Sequence, residues 1–331
     1  MTDTMRALVS GRGPEWVLAE VPVPRPGPGE VLIRNRAAAT NNADLPMLAE
    51  ADPTNDGHGQ EFIAGFEYAG EIAALGVDTG TWQVGDPVMG SVPHAFAEYV
   101  VADHRFVLPR PEGLEPDTAC ALPTGLLTEH GALTAAGFAA GQSVLITGAS
   151  TSIGFIGVQL AKALGASTVI GTTRSADKRD LLTSAGVDTV IITGEHDLAE
   201  ATLAATGGRG ADVVLDHLAG QAFAECLPAT AEDGHIVNIG RLAGPASTID
   251  LDALSYRHLT AHGVSFGFTR DTEMAGIIAG LLPAVVPAVA RGEIRPMIDR
   301  TVDVAESREA AERLRSGQAV GKVVFRLPEE A

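Results

Sequence analysis

The strongest constraint on this chain is a change of texture near residue 120. Beyond Pro123, short apolar runs at 144–147, 168–172, 189–192, 212–215, 235–239 and 263–268 alternate with helical stretches such as 153–164 and 178–185. Runs that are apolar throughout belong to strands buried on both faces, and helical crossovers between them give a doubly wound parallel sheet. Before that point the pattern is different. Short β-like runs at 7–9, 30–37, 70–75, 87–90 and 98–101 are punctuated by glycine and proline, which predicts an irregular β-rich domain. The expected division is therefore a first domain over 1–120, a nucleotide-type domain over 121–267, and a mainly helical tail over 268–331 that returns to the first domain through a strand at 322–327.

The first apolar run of the second region leads into Gly148, Ala149, Ser150, Thr151, Ser152, Ile153 and Gly154, and then into a helix. A strand, a turn of small residues and a helix start let backbone amides and the helix dipole approach a pyrophosphate. The glycine pattern is degenerate, because Thr151 holds the central position, and an ordinary tight turn would read the same way. About 20 residues on, an NAD site would place an acid for the ribose hydroxyls. The chain instead has Thr172, Thr173, Arg174 and Ser175, with Lys178 close behind. Such cations and hydroxyls can pair with a 2′-phosphate, which favours NADPH; the bland alternative is solvated charge opening a helix.

Charge and cysteine usage exclude several classes. Lys and Arg number 23 against 42 Asp and Glu, a net −19 that repels nucleic acid and anionic lipid surfaces. Two isolated cysteines, Cys120 and Cys226, make neither a disulfide framework nor a zinc knuckle. No leader-like apolar segment opens the sequence, and the apolar stretch 275–290 is interrupted by Gly280, Pro283 and Pro287, so the expectation is a cytoplasmic protein with a buried, proline-kinked helix there.

Taken together, the runs EVPVPRPGPGEV (20–31), FAEYV (96–100), GGRGADVVLD (207–216) and GKVV (321–324) resemble the medium-chain dehydrogenase/reductase superfamily. So do the spacing of Gly65, Glu67, Gly70 and Gly76, and Leu127 with Thr128. Within it the chain is most similar to the zinc-independent quinone oxidoreductase and enoyl reductase branch. The resemblance implies an α/β fold with a GroES-like catalytic domain and a Rossmann nucleotide domain. Two departures matter. Phe66 stands where zinc alcohol dehydrogenases carry a histidine ligand, residues 38–44 hold no cysteine, and the four-cysteine structural lobe of that branch is also missing, so the resemblance implies that both of its zinc sites are gone. Thr151 and Ser152 stand where quinone reductases usually have glycines; their bulk would crowd the pyrophosphate, or their hydroxyls would donate to it. The run at 147–154 also looks like a short-chain reductase turn. That family needs a downstream Tyr-x-x-x-Lys pair, and here Tyr256 is followed four residues later by Thr260.

Without a Lewis-acid metal, reducing a quinone or an activated C=C bond is easier to arrange than oxidising an alcohol, since it needs hydride positioning and a proton. The resemblance implies that Asn41 and Thr128 lie beside the nicotinamide, and that Gly240, Phe266, Phe268 and Lys322 join Thr151, Ser152, Ile153, Gly154, Thr173, Arg174, Ser175 and Lys178 around the cofactor. Asn41 also reads as a plain turn residue. The proton donor stays open among His58, Tyr68, His94, His130, Tyr256 and water; Asp44 reads as a cap and Glu67 as structural. The expected function is an NADPH-dependent reductase of quinones, enones, enals or enoyl thioesters. It would act on a small molecule, without nucleic-acid or membrane partners, as a homodimer. The alternative from another class is a nicotinamide-binding protein without turnover.

Overall fold

A computed structural model describes residues 4–54, 59–265 and 271–328. The chain divides into two compact units, one of Met1–Thr124 with Pro296–Ala331 and one of Gly125–Arg295.

The first unit contains β1 (Thr4–Ser10), β2 (Val17–Pro22), β3 (Glu30–Ala39), α1 (Asp44–Ala51), β4 (Phe62–Ile63), β5 (Glu67–Leu75), β6 (Pro87–Ser91), β7 (Tyr99–Asp103), β8 (Val107–Pro109) and α2 (Pro116–Ala119). The returning chain adds β15 (Ile298–Asp303), α10 (Ser307–Arg315) and β16 (Lys322–Arg326). β2, β1 and β4 form one sheet; the other runs β15-β16-β3-β5-β6-β8, with β7 also on β3. β3 is its hub. Paired with β5, β7 and β16, it is buried along most of its length, and Ala37, Ala38 and Ala39 keep its end slim. Trp16, Phe96 and Phe325 pack edge to face at centroid distances of 5.0–5.9 Å, the favourable geometry for aromatic quadrupoles.

The second unit follows α3 (Pro123–Ala135) with β9 (Ser143–Ile146), α4 (Ser152–Ala163), β10 (Thr168–Thr173), α5 (Arg179–Ala185), β11 (Thr189–Ile192), α6 (Leu198–Ala205) and β12 (Ala211–Asp216). It continues with α7 (Gly220–Ala229), β13 (Thr230–Asn238), α8 (Leu251–Tyr256), β14 (Thr260–Gly263) and α9 (Asp271–Ala290). The six strands are all parallel, in the order β11-β10-β9-β12-β13-β14. All four residues of β9 are buried, as a central strand covered on both faces requires. The order reverses between β9 and β12. In such sheets ligands bind outside the carboxyl ends of the strands at that reversal.

Two expectations need correction. The return to the first unit starts at Pro296 rather than at 268, because α9 belongs to the second unit and buries Ile277, Ile278, Leu281, Val285 and Val289 there. The helix expected over the apolar stretch is α9, which runs through Pro283 and Pro287. Each proline removes one amide donor, and the buried apolar face holds the helix together across the loss. It is long and apolar enough to cross a membrane, with a mean hydropathy of 1.8, and about a third of its most apolar stretch is buried in the fold. Lastly, a strand runs over Thr260–Gly263, earlier than the one expected at 263–268, of which 266–268 lie outside the described residues, and the tail holds β15, parallel to β16, which sequence pattern did not show.

Candidate functional site

In the second unit, the turn after β9 sits at the strand-order reversal. Gly148 has φ +62, a conformation that favours glycine, and a Cβ on Gly154 would lie 2.7 Å from the Gly148 carbonyl oxygen. Thr151 caps α4: its Oγ1 accepts the Gly154 N–H at 3.1 Å. The threonine thus takes up one amide of the helix start and leaves those of Ser152 and Ile153, which helix geometry provides with no i−4 acceptor. The next strand braces the turn from beneath. Thr172 Oγ1 accepts the Gly148 amide at 2.9 Å, and Thr173 Oγ1 lies 3.0 Å from Ser150 Oγ and 3.3 Å from the Ser175 amide. Thr173 is therefore buried and engaged internally. Arg174, exposed, and Lys178, half-buried, follow at the carboxyl end of β10, and neither makes an ion pair with any described residue.

Gly240 lies just past β13, where its amide donates to Asp216 O at 3.1 Å and the Asn238 side chain donates to its carbonyl at 3.0 Å. Thr128 is half-buried on α3. Phe266, Phe268 and His58 lie outside the described residues.

In the first unit the sheet register assembles a second cluster. Val324 pairs with Ala39 and Ala39 with Glu67, so Lys322 and Asn41, two residues further along their antiparallel chains, meet over Glu67. Asn41 donates from Nδ2 to Glu67 Oε2 at 2.9 Å, and Lys322 Nζ donates to Asn41 Oδ1 at 3.0 Å and to Glu67 Oε2. The Thr124 amide donates to Glu67 Oε1 at 2.7 Å. Glu67 is 0% and Lys322 3% exposed. Two buried opposite charges with their hydrogen bonds made cost far less than either alone. Asn41 is thereby locked at one orientation while staying half-exposed. Beside it, Asp44 accepts the Asn41 amide at 2.5 Å, and its other oxygen has no hydrogen-bond partner among the described residues. Burial pushes its carboxyl up to about 7, assisted by the Glu67 charge and opposed by the Asn41 bond and Lys322.

The other titratable candidates scatter. Tyr68 is fully buried, and burial alone drives its phenol upward. Tyr256 is 77% exposed on α8. His94 and His130 have their basicity lowered by burial. Cys120 and Cys226 are buried, protonated thiols, each in a different unit. Sequence reasoning missed Asp216, His217 and Glu129, all buried in the second unit. A signal existed for the first, an acid closing the apolar run 212–215. None pointed to the others.

Comparison with known proteins gives the following. Residues 27–112 match the alcohol dehydrogenase GroES-like domain model, and residues 152–279 match the model described as zinc-binding dehydrogenase. The chain is 28% identical to quinone oxidoreductase-like protein 2 of Bos taurus over 94% of its own length and 89% of that protein's. It is 36% identical to prostaglandin reductase-3 of Bos taurus over 68% of its length, spanning 59% of that relative. It also aligns at 32% identity, over 91% of its length, with only 8% of erythronolide synthase EryA2 of Saccharopolyspora erythraea. Among solved structures, a mycobacterial quinone oxidoreductase superposes with a TM-score of 0.84 at 27% identity, covering 98% of this chain and 100% of that one.

Proposed function

Since the chain belongs to the medium-chain dehydrogenase/reductase superfamily, in its quinone oxidoreductase-like branch, we propose that it is an NADPH-dependent reductase. Its acceptor would be a quinone or the activated C=C bond of an enone, enal or enoyl thioester. The observation that carries this reading is the pairing, along adjacent strand ends, of the helix-start amides of Ser152 and Ile153 with Arg174, which makes no ion pair among the described residues. The amides suit a pyrophosphate and the guanidinium suits a 2′-phosphate, with Lys178 and the Ser175 hydroxyl beside it. A bound nicotinamide supplies the hydride. In the first unit Asn41, held by Glu67 and Lys322, is suited to orient a bound group, as is Thr128 in the second; neither side chain titrates near neutral pH, so each would contribute placement. Asp44 retains its proton up to about pH 7 at the base of that cluster.

The donor set does not suit zinc. A zinc ion needs three or four converging N, S or O ligands, and among the described residues no three His, Cys, Asp or Glu side chains converge. No step is therefore routed through a metal. We also propose a homodimer formed through the second unit, for which the exposed outer edge of β14 is the support.

Oxidation of NADPH, followed by absorbance against a panel of quinones and α,β-unsaturated carbonyls with and without chelator, tests the activity. Turnover with at least one acceptor, undiminished by chelation, is expected. Arg174→Glu should weaken NADPH binding about tenfold and leave NADH binding unchanged. Equal use of NADH by the wild type, or an unaffected Arg174→Glu variant, overturns the cofactor assignment; NADPH binding with no acceptor reduced returns the chain to a non-enzymatic role.

A further inference from the structure

A second buried ion pair, separate from the Asn41 cluster, lies at the strand-order reversal. Glu129 on α3 is 0% and His217 3% exposed, and His217 Nε2 lies 2.6 Å from Glu129 Oε1. His217 Nδ1 is 2.9 Å from the Thr147 carbonyl oxygen, which can only accept, so Nδ1 carries a proton. The second imidazole proton then belongs to the bond with Glu129. Burial opposes the charge on His217, but the charge and hydrogen bond of Glu129, the bond to Thr147 and the charge of Asp216 outweigh it and raise the basicity of the ring above that of a free imidazole.

This pair touches three segments of the second unit that carry candidate site residues: the turn after β9, the end of β13 and α3. Thr147 and His217 are the first residues past β9 and β12, the two strands between which the order reverses, and Thr147 opens the Gly148–Gly154 turn. A Cβ on Gly240 would collide with the His217 carbonyl, so that strand end rests directly on the histidine backbone. Glu129 follows Thr128 on α3, and a Cβ on Gly157 of α4 would collide with its second oxygen, which has no hydrogen-bond partner among the described residues. The loop is held under strain. Ala219 sits at φ 56, ψ −150, a conformation that costs a residue with a side chain, while Asp216 grips the loop through Thr147 Oγ1, the amides of Leu218 and Ala219, and Asn238 Nδ2 at 2.8–3.1 Å.

A buried ion pair is a poor way to gain stability compared with apolar packing, and strain stored beside it suggests a geometric task. A dinucleotide crossing this reversal lays its adenine half over the β9–β11 side and its nicotinamide half over the β12–β14 side. We propose that Glu129 and His217 form a positioning pair for the nicotinamide half of the cofactor, fixing the spacing between the turn, Gly240 and Thr128. The proposal rests on the NADPH reading above. Neither residue is assigned contact with the reacting atoms.

Calorimetric titration of the full chain with NADPH and with 2′,5′-ADP, which contains the adenine half alone, separates the halves. Glu129→Ala should weaken NADPH about tenfold and 2′,5′-ADP less than about twofold. Glu129→Gln should recover most of the loss, because its amide can donate to Nε2 of a neutral imidazole that keeps Nδ1–H on Thr147. Glu129→Asp, which keeps the charge but draws it back by one methylene, should show the same selective loss and serves if the alanine variant does not fold. Equal weakening of both ligands, no weakening of either, or no recovery by glutamine overturns the proposal. A wild type that binds neither NADPH nor NADH fails the cofactor reading itself, and this proposal with it; failure confined to the variants leaves that reading standing.

Discussion

At the scale of single residues, Asp44 departs furthest from what its position in the sequence suggests. It looks like a helix-opening acid and is instead buried, with its carboxyl pushed from 3.8 to about 7 by burial above all. Between those values the folded chain keeps a proton that the unfolded chain has released. Its contribution to stability is therefore complete below about pH 4 and is lost as the pH rises through 7, an effect on the order of 4 kcal/mol. Asp44→Asn should remove that dependence. Denaturant unfolding of wild type and variant from pH 4 to pH 8 checks it: the difference between the two curves should grow in the variant's favour with pH, and a flat difference rejects the assignment. The same proton explains how two carboxylates, Asp44 and Glu67, share one buried region with a single lysine.

At the scale of elements, α3 and α4 meet through glycines. A Cβ on Gly125 of α3 would collide with Ile156 of α4, and one on Gly157 of α4 would collide with Glu129 of α3. Glycine inside a helix costs about 1 kcal/mol relative to alanine, so close approach is the reason to keep it. Gly157→Ala should lose about 1–3 kcal/mol despite the gain in helix propensity, since the added methyl displaces a buried carboxylate. Gly276→Ala in α9, where a Cβ meets nothing within 4 Å, should gain up to about 1 kcal/mol. Thermal unfolding of both variants is the check, and opposite signs are the expected result. In α9 a buried apolar face likewise carries the expected helix through its two prolines.

At the scale of the whole molecule, the net charge of −19 sets a background repulsion on which every folded contact is superimposed. The described ion pairs are mostly exposed or half-exposed and contribute little each. Raising sodium chloride from about 0.05 to 0.5 M shortens the screening length to a few ångströms and should raise the melting temperature, because screening relieves more repulsion than attraction. A fall in melting temperature over that range would show that the surface pairs outweigh the net charge. Two units with their own cores also mean that a single melting temperature describes the chain only if their transitions coincide.

The sequence by itself determined the two-unit architecture, the parallel sheet and the location of the small-residue turn between β9 and α4, because each of these is written in local periodicity: apolar runs of strand length, helical spacing, and small residues between them. It also placed Thr151, Arg174 and Lys178 at strand and helix ends. Tertiary structure alone decided the rest. Asn41, Glu67 and Lys322 are separated by up to 281 residues and meet only through the register of β16, β3 and β5. Glu129 and His217, 88 residues apart, meet only because α3 packs at the end of β12. The place where α9 belongs was likewise settled by which core it buries against. Periodicity reports which face of an element is apolar; which partner covers that face, and which charges are sealed beneath it, depends on contacts that no local pattern encodes.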